Sequence, residues 1–425
     1  MAVAIPPRTQ QSIRALIDSN RIVSHFQPIV STRQRTIVGL EALARGAGQD
    51  GMQPSADWLF AGAARESLMR ELEQLCCDTA IQRFARLPYR QTGLLLFLNT
   101  GGWLTSPHVD PVAHLRKSTR RAGLPPSSVA VEILEARIDD LDRLTRLVSR
   151  LREAGFLLAL DDVGSGHSNL DRISVIRPDI LKVDRSLITR IESDFYKQET
   201  LKSLVGLSRK IGSLVVAEGV ETEDEAIVAL ELGADLMQGY FVSRPSEHGS
   251  IAPGHSVSAC VDALGQRFKR YMIDKIHRRK TQHRGLSLIL TDVLARLAGS
   301  GVSGFDGILR ETLRDHPSVE CLYVLDHTGI QVTDTICNPG APRQARGIIF
   351  HPASKGTDHS LKEYFYILLD VELQKFTTDP YVSFASGNIC RTTSTYFRTL
   401  QDDGLYVLCI DVATAGSAGV GTGAG

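Results

Sequence analysis

From residue 20 to about residue 245, short apolar runs alternate with longer stretches whose apolar positions return at helical spacing. The runs that read as strands are Val23–Val30, Ile37–Leu43, Leu94–Asn99, Val129–Ile133, Phe156–Leu160, Ile180–Val183, Leu214–Ala217 and Leu236–Phe241. Amphipathic helical patterns such as Leu141–Ala154 and Asp194–Ile211 separate most of them. Near-continuous apolar strands between helices predict a parallel sheet covered on its outer face. Eight of them predict an α/β fold, a closed TIM-type (β/α)8 barrel rather than an open sheet. Only Ser31–Thr36 separates the first two runs, too little chain for a helical crossover. The first strand is therefore expected to be antiparallel, which makes the barrel a modified one.

After Pro245 the pattern changes. Glu247–His255 is rich in Gly, Ser and Pro and reads as a linker. Helical spacing returns over Val257–Leu297, with Lys275, Arg278, Arg279 and Lys280 forming a solvated basic stretch. Beyond residue 305 a smaller α+β unit is expected. Its strands would be Cys321–Leu325, Ile330–Asp334, Tyr381–Phe384, Ile389–Thr395 and Leu405–Val412. The expected division is a barrel domain over 1–250, a linker and connecting helix over 251–304, a second domain over 305–413, and a Gly/Ala-rich disordered tail over 414–425.

Charge narrows the function. Lys and Arg number 48 and Asp and Glu 48, so the formal net charge is zero. A protein that holds nucleic-acid polymers through excess basic charge is excluded on that count, as is a polybasic membrane-surface module. The seven cysteines form no C-x-x-C pair and are odd in number, so neither a disulfide framework nor a Cys-rich zinc site is expected. The longest purely apolar run, Leu94–Leu98, is far short of the roughly 20 residues that span a bilayer. These features predict a soluble protein of the reducing cytoplasm.

In such a barrel, functional side chains stand at the carboxyl ends of strands, where the loops form the open mouth. Those ends carry Glu41, Asn99, Glu132, the pair Asp161–Asp162, Lys182 with Asp184, Glu218 and Gln238. Carboxylates gathered this closely must be neutralised by protons or cations. The donors are oxygens with no His or Cys at coordinating spacing, which suits Mg2+ or Mn2+ rather than zinc. The adjacent Asp161–Asp162 and the surplus of ligands favour two ions, an arrangement used for phosphoryl displacement. Lys182 then has the task of holding the attacking water and offsetting charge in the transition state.

At this point the residues match a family. Residues 20–250 resemble an EAL domain, a module that hydrolyses cyclic di-GMP. The matching motifs are FQPI (Phe26–Ile29), EALAR (Glu41–Arg45), LN (Leu98–Asn99), EILE (Glu132–Glu135), DDVGSGHSNL (Asp161–Leu170), LKVD (Leu181–Asp184), AEGVET (Ala217–Thr222) and QGYFVSRP (Gln238–Pro245). The resemblance implies that Glu41, Asn99, Glu132 and Asp161 hold one metal, and that Asp161, Asp162 and Glu218 serve a second. It places Lys182 on the water, with Glu135 anchoring the loop after the fifth strand. It sets Gln27, Leu43, Arg45, Asp184, Glu221, Gln238 and Pro245 around the dinucleotide, whose opening by water would give linear pGpG. A guanidinium such as that of Arg45 can hold a non-scissile phosphate in bidentate fashion. The resemblance also implies a homodimer.

The chain departs from the family's usual loop at Val163, Ser165, His167 and Asn169, and it has Gly46 and Gly101–Gly102 where an aromatic and a serine are common. Every metal-ligand position is intact, so activity is expected. The alternative motivated by the altered loop is a receptor that binds the dinucleotide and signals through protein partners without turnover. A scaffold that binds no nucleotide would leave the acid cluster without purpose. The second unit is similar to PAS-like or Cache-like sensor folds over Asp379–Gly387, ICRTTS and Asp402–Val412, which implies a regulatory domain with a small-molecule ligand of its own.

Overall fold

The computed structural model describes residues 12–47, 54–87, 93–105, 110–134, 140–165, 171–249, 257–338, 351–401 and 403–413. It divides into two compact units, Met1–Ile273 and Asp274–Gly425. Glu135, His167, Asn169 and the tail beyond residue 413 lie outside the described residues.

The first unit opens with α1 (Ile13–Asp18), β1 (Ile22–Ser31), β2 (Thr36–Gly46), α2 (Ala56–Arg65), α3 (Met69–Ala85) and β3 (Leu95–Thr100). It continues through α4 (Pro111–Ala122), β4 (Val129–Leu134), α5 (Leu141–Glu153), β5 (Leu157–Val163), α6 (Asp171–Ile176), β6 (Ile180–Val183) and α7 (Arg185–Ile188). It closes with α8 (Phe195–Ile211), β7 (Leu214–Ala217), α9 (Glu223–Leu232), β8 (Leu236–Met237) and the start of α10 (Val257–Ala298). Strands β1 to β8 form a closed barrel in chain order. The expected hairpin is present: β1 runs antiparallel to both β2 and β8, while the remaining neighbours are parallel. Strand β8 is much shorter than expected, because the chain turns after Met237 to bring Gln238 over the mouth.

Helix ends explain why the crossovers sit where they do. Asp194 caps α8 by accepting from the backbone N–H groups of Tyr196 and Lys197, and Gly212 ends that helix in the left-handed region. Thr222 and Glu225 form a reciprocal capping box on α9. Ile29, Phe97, Ala130, Ala159, Ile180, Val216 and Leu236 fill the barrel interior, and a larger apolar shell packs the helices around it.

Helix α10 contributes to both cores. Val257, Val261 and Leu264 are buried in the barrel's shell, whereas Leu290, Val293 and Leu297 belong to the second unit's core. Between them Arg278, Arg279 and Lys280 are exposed and Lys275 is half-buried. The second unit adds α11 (Phe305–Asp315), β9 (Val319–Asp326), β10 (Ile336–Cys337), α12 (Glu363–Asp370), β11 (Lys375–Thr377), β12 (Tyr381–Val382), β13 (Ile389–Arg398) and β14 (Leu405–Ala413). Its antiparallel sheet has the order β10-β9-β14-β13-β11, with β12 pairing to β13. Alternation along β9 and β14 sends Leu322, Val324, Leu408 and Ile410 toward α11, and Tyr323, Leu325, Val407 and Cys409 toward α12.

Two expectations are corrected here. Ile330–Asp334 is not a regular strand, because the Asp326 carboxylate accepts from the N–H groups of Thr328 and Ile330 and curls the chain into a turn. Cys321 and Cys337, opposite each other on β9 and β10, form a disulfide, so the cysteines are not all free thiols. Their juxtaposition is a matter of strand register, which spacing alone does not reveal.

Candidate active site

The carboxyl ends of the barrel strands bring the predicted residues together. Lys182, at the middle of β6, is almost wholly buried. Its Nζ lies 2.6 Å from Glu132 Oε1, 2.7 Å from Glu218 Oε1, 3.1 Å from Asp161 Oδ1 and 3.5 Å from Glu41 Oε2. One ammonium thus faces carboxylates from β2, β4, β5 and the end of β7. Burial opposes the Lys182 charge, but the surrounding acids outweigh it and raise its pKa well above the ordinary lysine value. Burial, with neighbouring acids adding to it, raises the carboxyl groups of Glu132 and Glu218 well above the ordinary range, and Lys182 opposes the rise in both. Asp162 is pushed up to about 6, first by burial and then by its neighbour Asp161.

A hydrogen-bonded chain runs round the other half of the mouth. Asn99 Nδ2 donates to Glu41 Oε1 at 2.6 Å, and Gln238 Nε2 donates to Glu41 Oε2 at 2.5 Å and to Gln27 Oε1 at 3.0 Å. Gln27 Nε2 in turn donates to the Ser243 carbonyl at 3.0 Å. With its amide nitrogen committed to Glu41, Asn99 keeps Oδ1 as the atom available to a cation. Gly239 has no alternative at its position: a Cβ there would stand 2.0 Å from the Val220 carbonyl oxygen.

Successive side chains of a regular strand point to opposite faces, so Asp161 and Asp162 should diverge. They do not, because pairing between β5 and β6 shifts register between Leu160 and Val163, and Asp162 takes a left-handed φ of 57°. This bulge turns both carboxylates to the mouth. Asp161, Asp162 and Glu218 each offer a ligand oxygen, and these atoms lie within 4.8 Å of one another. Glu132 Oε2 is buried without a hydrogen-bond partner. An orphaned buried oxygen and an all-oxygen donor set fit divalent cations of the Mg2+ or Mn2+ kind.

Two cavities meet at Glu41. One, of about 280 Å3, is lined by Gln27, Asp162, Asp184, Glu218, Glu221 and Gln238, together with Arg185 and Tyr240, which strand-end reasoning missed. Arg244 stacks over the half-exposed Tyr240 ring at 4.2 Å. Asp184 also caps α7 through the Ser186 N–H. The other cavity, of about 260 Å3, is mostly apolar and is lined by Leu43, Phe60, Cys76, Leu98 and Asn99, with Glu73 beside them. Arg45 and Pro245 are half-buried and line neither cavity; Arg45 Nη1 donates to the Ala44 carbonyl at 2.7 Å. Glu73 also escaped the sequence reading, although a signal existed: it is an acid in register with Cys77, Ala80, Ile81 and Phe84, the buried stripe of α3.

Comparison with known proteins finds a family and several relatives. The family model described as EAL domain matches residues 10–245. An uncharacterized EAL-domain containing protein, YkuI of Bacillus subtilis, is 24% identical over 407 residues, covering 92% of this chain and 94% of YkuI. The crystal structure of YkuI in complex with substrate c-di-GMP and calcium superposes with a TM-score of 0.76 at 23% identity, covering 96% of this chain and all of that one. The signaling protein YkoW, also of Bacillus subtilis, is 28% identical over 236 residues, 55% of this chain and 29% of YkoW. The cyclic di-GMP phosphodiesterase NbdA of Pseudomonas aeruginosa is 29% identical over 247 residues, 56% of this chain and 30% of NbdA. The chain therefore spans under a third of the length of these last two relatives. No helix among the described residues is long and apolar enough to cross a membrane.

Proposed function

The chain belongs to the EAL-domain family, and on that premise we propose that it hydrolyses one phosphodiester bond of cyclic di-GMP to give linear pGpG, with two Mg2+ or Mn2+ ions as cofactors. The observation that carries the reading is the set of four carboxylates around the Lys182 ammonium, beside a polar cleft lined by Gln27, Asp184, Glu221 and Gln238. Glu41, Asn99, Glu132 and Asp161 would hold one ion, and Asp161, Asp162 and Glu218 the other. Bound divalent ions supply Lewis-acid neutralisation of the phosphate and of the charge that develops on it. They also reverse the local sign, so that an anionic dinucleotide enters a mouth built of acids.

The chain's own residues do the rest. Lys182 keeps its charge at any working pH and is placed to orient the attacking water and to offset charge on the phosphoryl oxygens. Gln27, Asp184, Glu221 and Gln238 line the cleft, with Leu43 on the apolar side, and these residues orient the two nucleotides. The family resemblance assigns Arg45 and Pro245 to the dinucleotide as well, with Arg45 on the non-scissile phosphate. Glu135, matched to the loop-anchoring glutamate, completes the set.

The test is an incubation of the full-length protein with cyclic di-GMP and Mg2+ or Mn2+, with products separated by chromatography. Formation of pGpG is expected. Tight binding in EDTA with no turnover once metal is restored would replace this reading with that of a receptor. Glu41→Ala removes a metal ligand and should lower turnover by on the order of 100- to 1,000-fold; an unchanged rate would refute the metal assignment.

The second unit, read as a PAS-like sensor, is proposed to regulate the barrel. The informative truncation falls after Ile273, because a cut at residue 250 would strip Val257, Val261 and Leu264 from the barrel's core. Equal specific activity with and without residues 274–425 would remove the regulatory role.

A further inference from the structure

Glu73 is a carboxylate buried on an otherwise apolar face of α3, where a leucine would fill the space without the cost of desolvating a charge. Its Oε2 accepts the backbone N–H of Trp103 at 2.8 Å. That N–H belongs to the short 3-10 turn Gly102–Thr105, which follows β3 directly. Its Oε1 fits over the backbone of Gly101, so closely that a Cβ on residue 101 would stand 1.7 Å from it. One helical turn further along α3, Cys77 Sγ lies 3.7 Å from the Asn99 carbonyl oxygen. On the opposite side, the Thr100 hydroxyl donates to the Glu132 carbonyl at 2.6 Å. The segment from Asn99 to Trp103 is therefore held between α3 and β4, with Asn99 at its head and its amide on Glu41.

We propose that Glu73 is a positioning residue for the metal ligand Asn99, acting by holding the turn after β3, and that Gly101 is glycine because the Glu73 carboxylate occupies the volume of its missing side chain. The inference rests on the metal-dependent reading of the site. It differs from a packing role in its chemistry, since what Glu73 provides is an acceptor for the Trp103 backbone N–H at a fixed place. Outer partners of metal ligands set affinity because a ligand free to wander forfeits part of its binding energy to ordering. Gly101→Ala should act through the same contact, by pushing the carboxylate off the Trp103 N–H.

The experiment titrates the full-length, metal-stripped protein with Mn2+ alone and reads the dissociation constant by calorimetry. Glu73→Ala should weaken Mn2+ binding about tenfold or more, and Gly101→Ala should reproduce the loss. Glu73→Gln, which retains an oxygen acceptor, should bind Mn2+ close to the wild-type affinity. In an Asn99→Ala background the Glu73→Ala change should have no further effect, because the ligand it positions is already gone. Wild-type affinity in Glu73→Ala, or an equal loss with and without Asn99, would overturn the proposal in favour of a purely structural role. A wild-type protein that takes up neither Mn2+ nor Mg2+ would instead overturn the metal reading, and this inference with it.

Discussion

Two buried acid sites in this chain solve the same electrostatic problem in opposite ways. At the barrel mouth, Glu41, Glu132, Asp161 and Glu218 share one ammonium. In the second unit, Asp411 on β14 is equally buried, but among the described residues its side chain accepts from the Thr392 hydroxyl at 2.6 Å and no cation is among the groups acting on it. Burial pushes the Asp411 carboxyl up to about 7, with Glu320 adding to the rise and the Thr392 bond opposing it. The first site has an opposite charge that works against the rise of its carboxyls, although Glu132 and Glu218 still stand well above the ordinary range; the second has none and relieves its burial by taking a proton. A cation is one device that opposes the cost of burying an acid, and the barrel mouth uses it; Glu225, equally buried, is held below the ordinary range against its desolvation by backbone N–H groups instead.

The most forceful way to break that contrast is Lys182→Met. Without the ammonium, the acids of the mouth lose the one cation paired with them among the described residues, and the metal-free barrel should lose about 3–5 kcal/mol of stability in a denaturant titration. Mn2+ should restore much of the loss. Stability unchanged within error would mean that protons, not Lys182, neutralise the mouth.

Next in size is the pH dependence of the second unit. Asp411 binds its proton more tightly in the folded unit than in the unfolded chain. Its contribution is therefore fully present below the ordinary carboxylate range, declines as pH rises toward about 7, and levels off above that. The decline is on the order of a few kcal/mol, and Asp411→Asn should flatten it. Hydrogen exchange of the β13 and β14 amides at pH 5 and pH 8 measures it locally. A wild-type profile identical to that of Asp411→Asn would show that the carboxyl titrates normally.

The smallest effect is expected from Thr392→Val. Removing the hydroxyl deletes the interaction that favours the Asp411 anion and should cost about 1 kcal/mol at pH 8. At pH 5, where the carboxyl is protonated, the cost should shrink. An equal cost at both values would make Thr392 a packing residue.

Much of the barrel was legible because its strands are buried on both faces and its helices on one, and the two conditions leave distinct periods in the chain. Ile180–Val183 and Leu214–Ala217 appear in the fold with the bounds that their apolar runs imply, and the short Ser31–Thr36 link correctly makes β1 antiparallel. The second unit was less legible. Ile389–Thr395 reads as a strand and is one, but β13 runs on to Arg398, and with Thr392, Thr393, Ser394 and Thr395 all buried its two faces show little polar contrast. Strand β11 and helix α12 went unseen, and Ile330–Asp334 was misread, since an Asx turn depends on a side-chain contact rather than on apolar period.

At the site, the sequence alone determined which oxygens arrive at the mouth, since strand ends follow from strand periodicity and each end carries its acid or amide. Only the tertiary structure decided what those oxygens do together. The bulge that turns Asp162 beside Asp161, the clamp of Glu73 on the turn below Asn99, and the centring of Lys182 among acids from four separate strands all depend on contacts between residues distant in the chain. The physical reason is that charge state is set by burial and by neighbours within a few ångströms, and both are properties of the closed barrel rather than of any local stretch of residues.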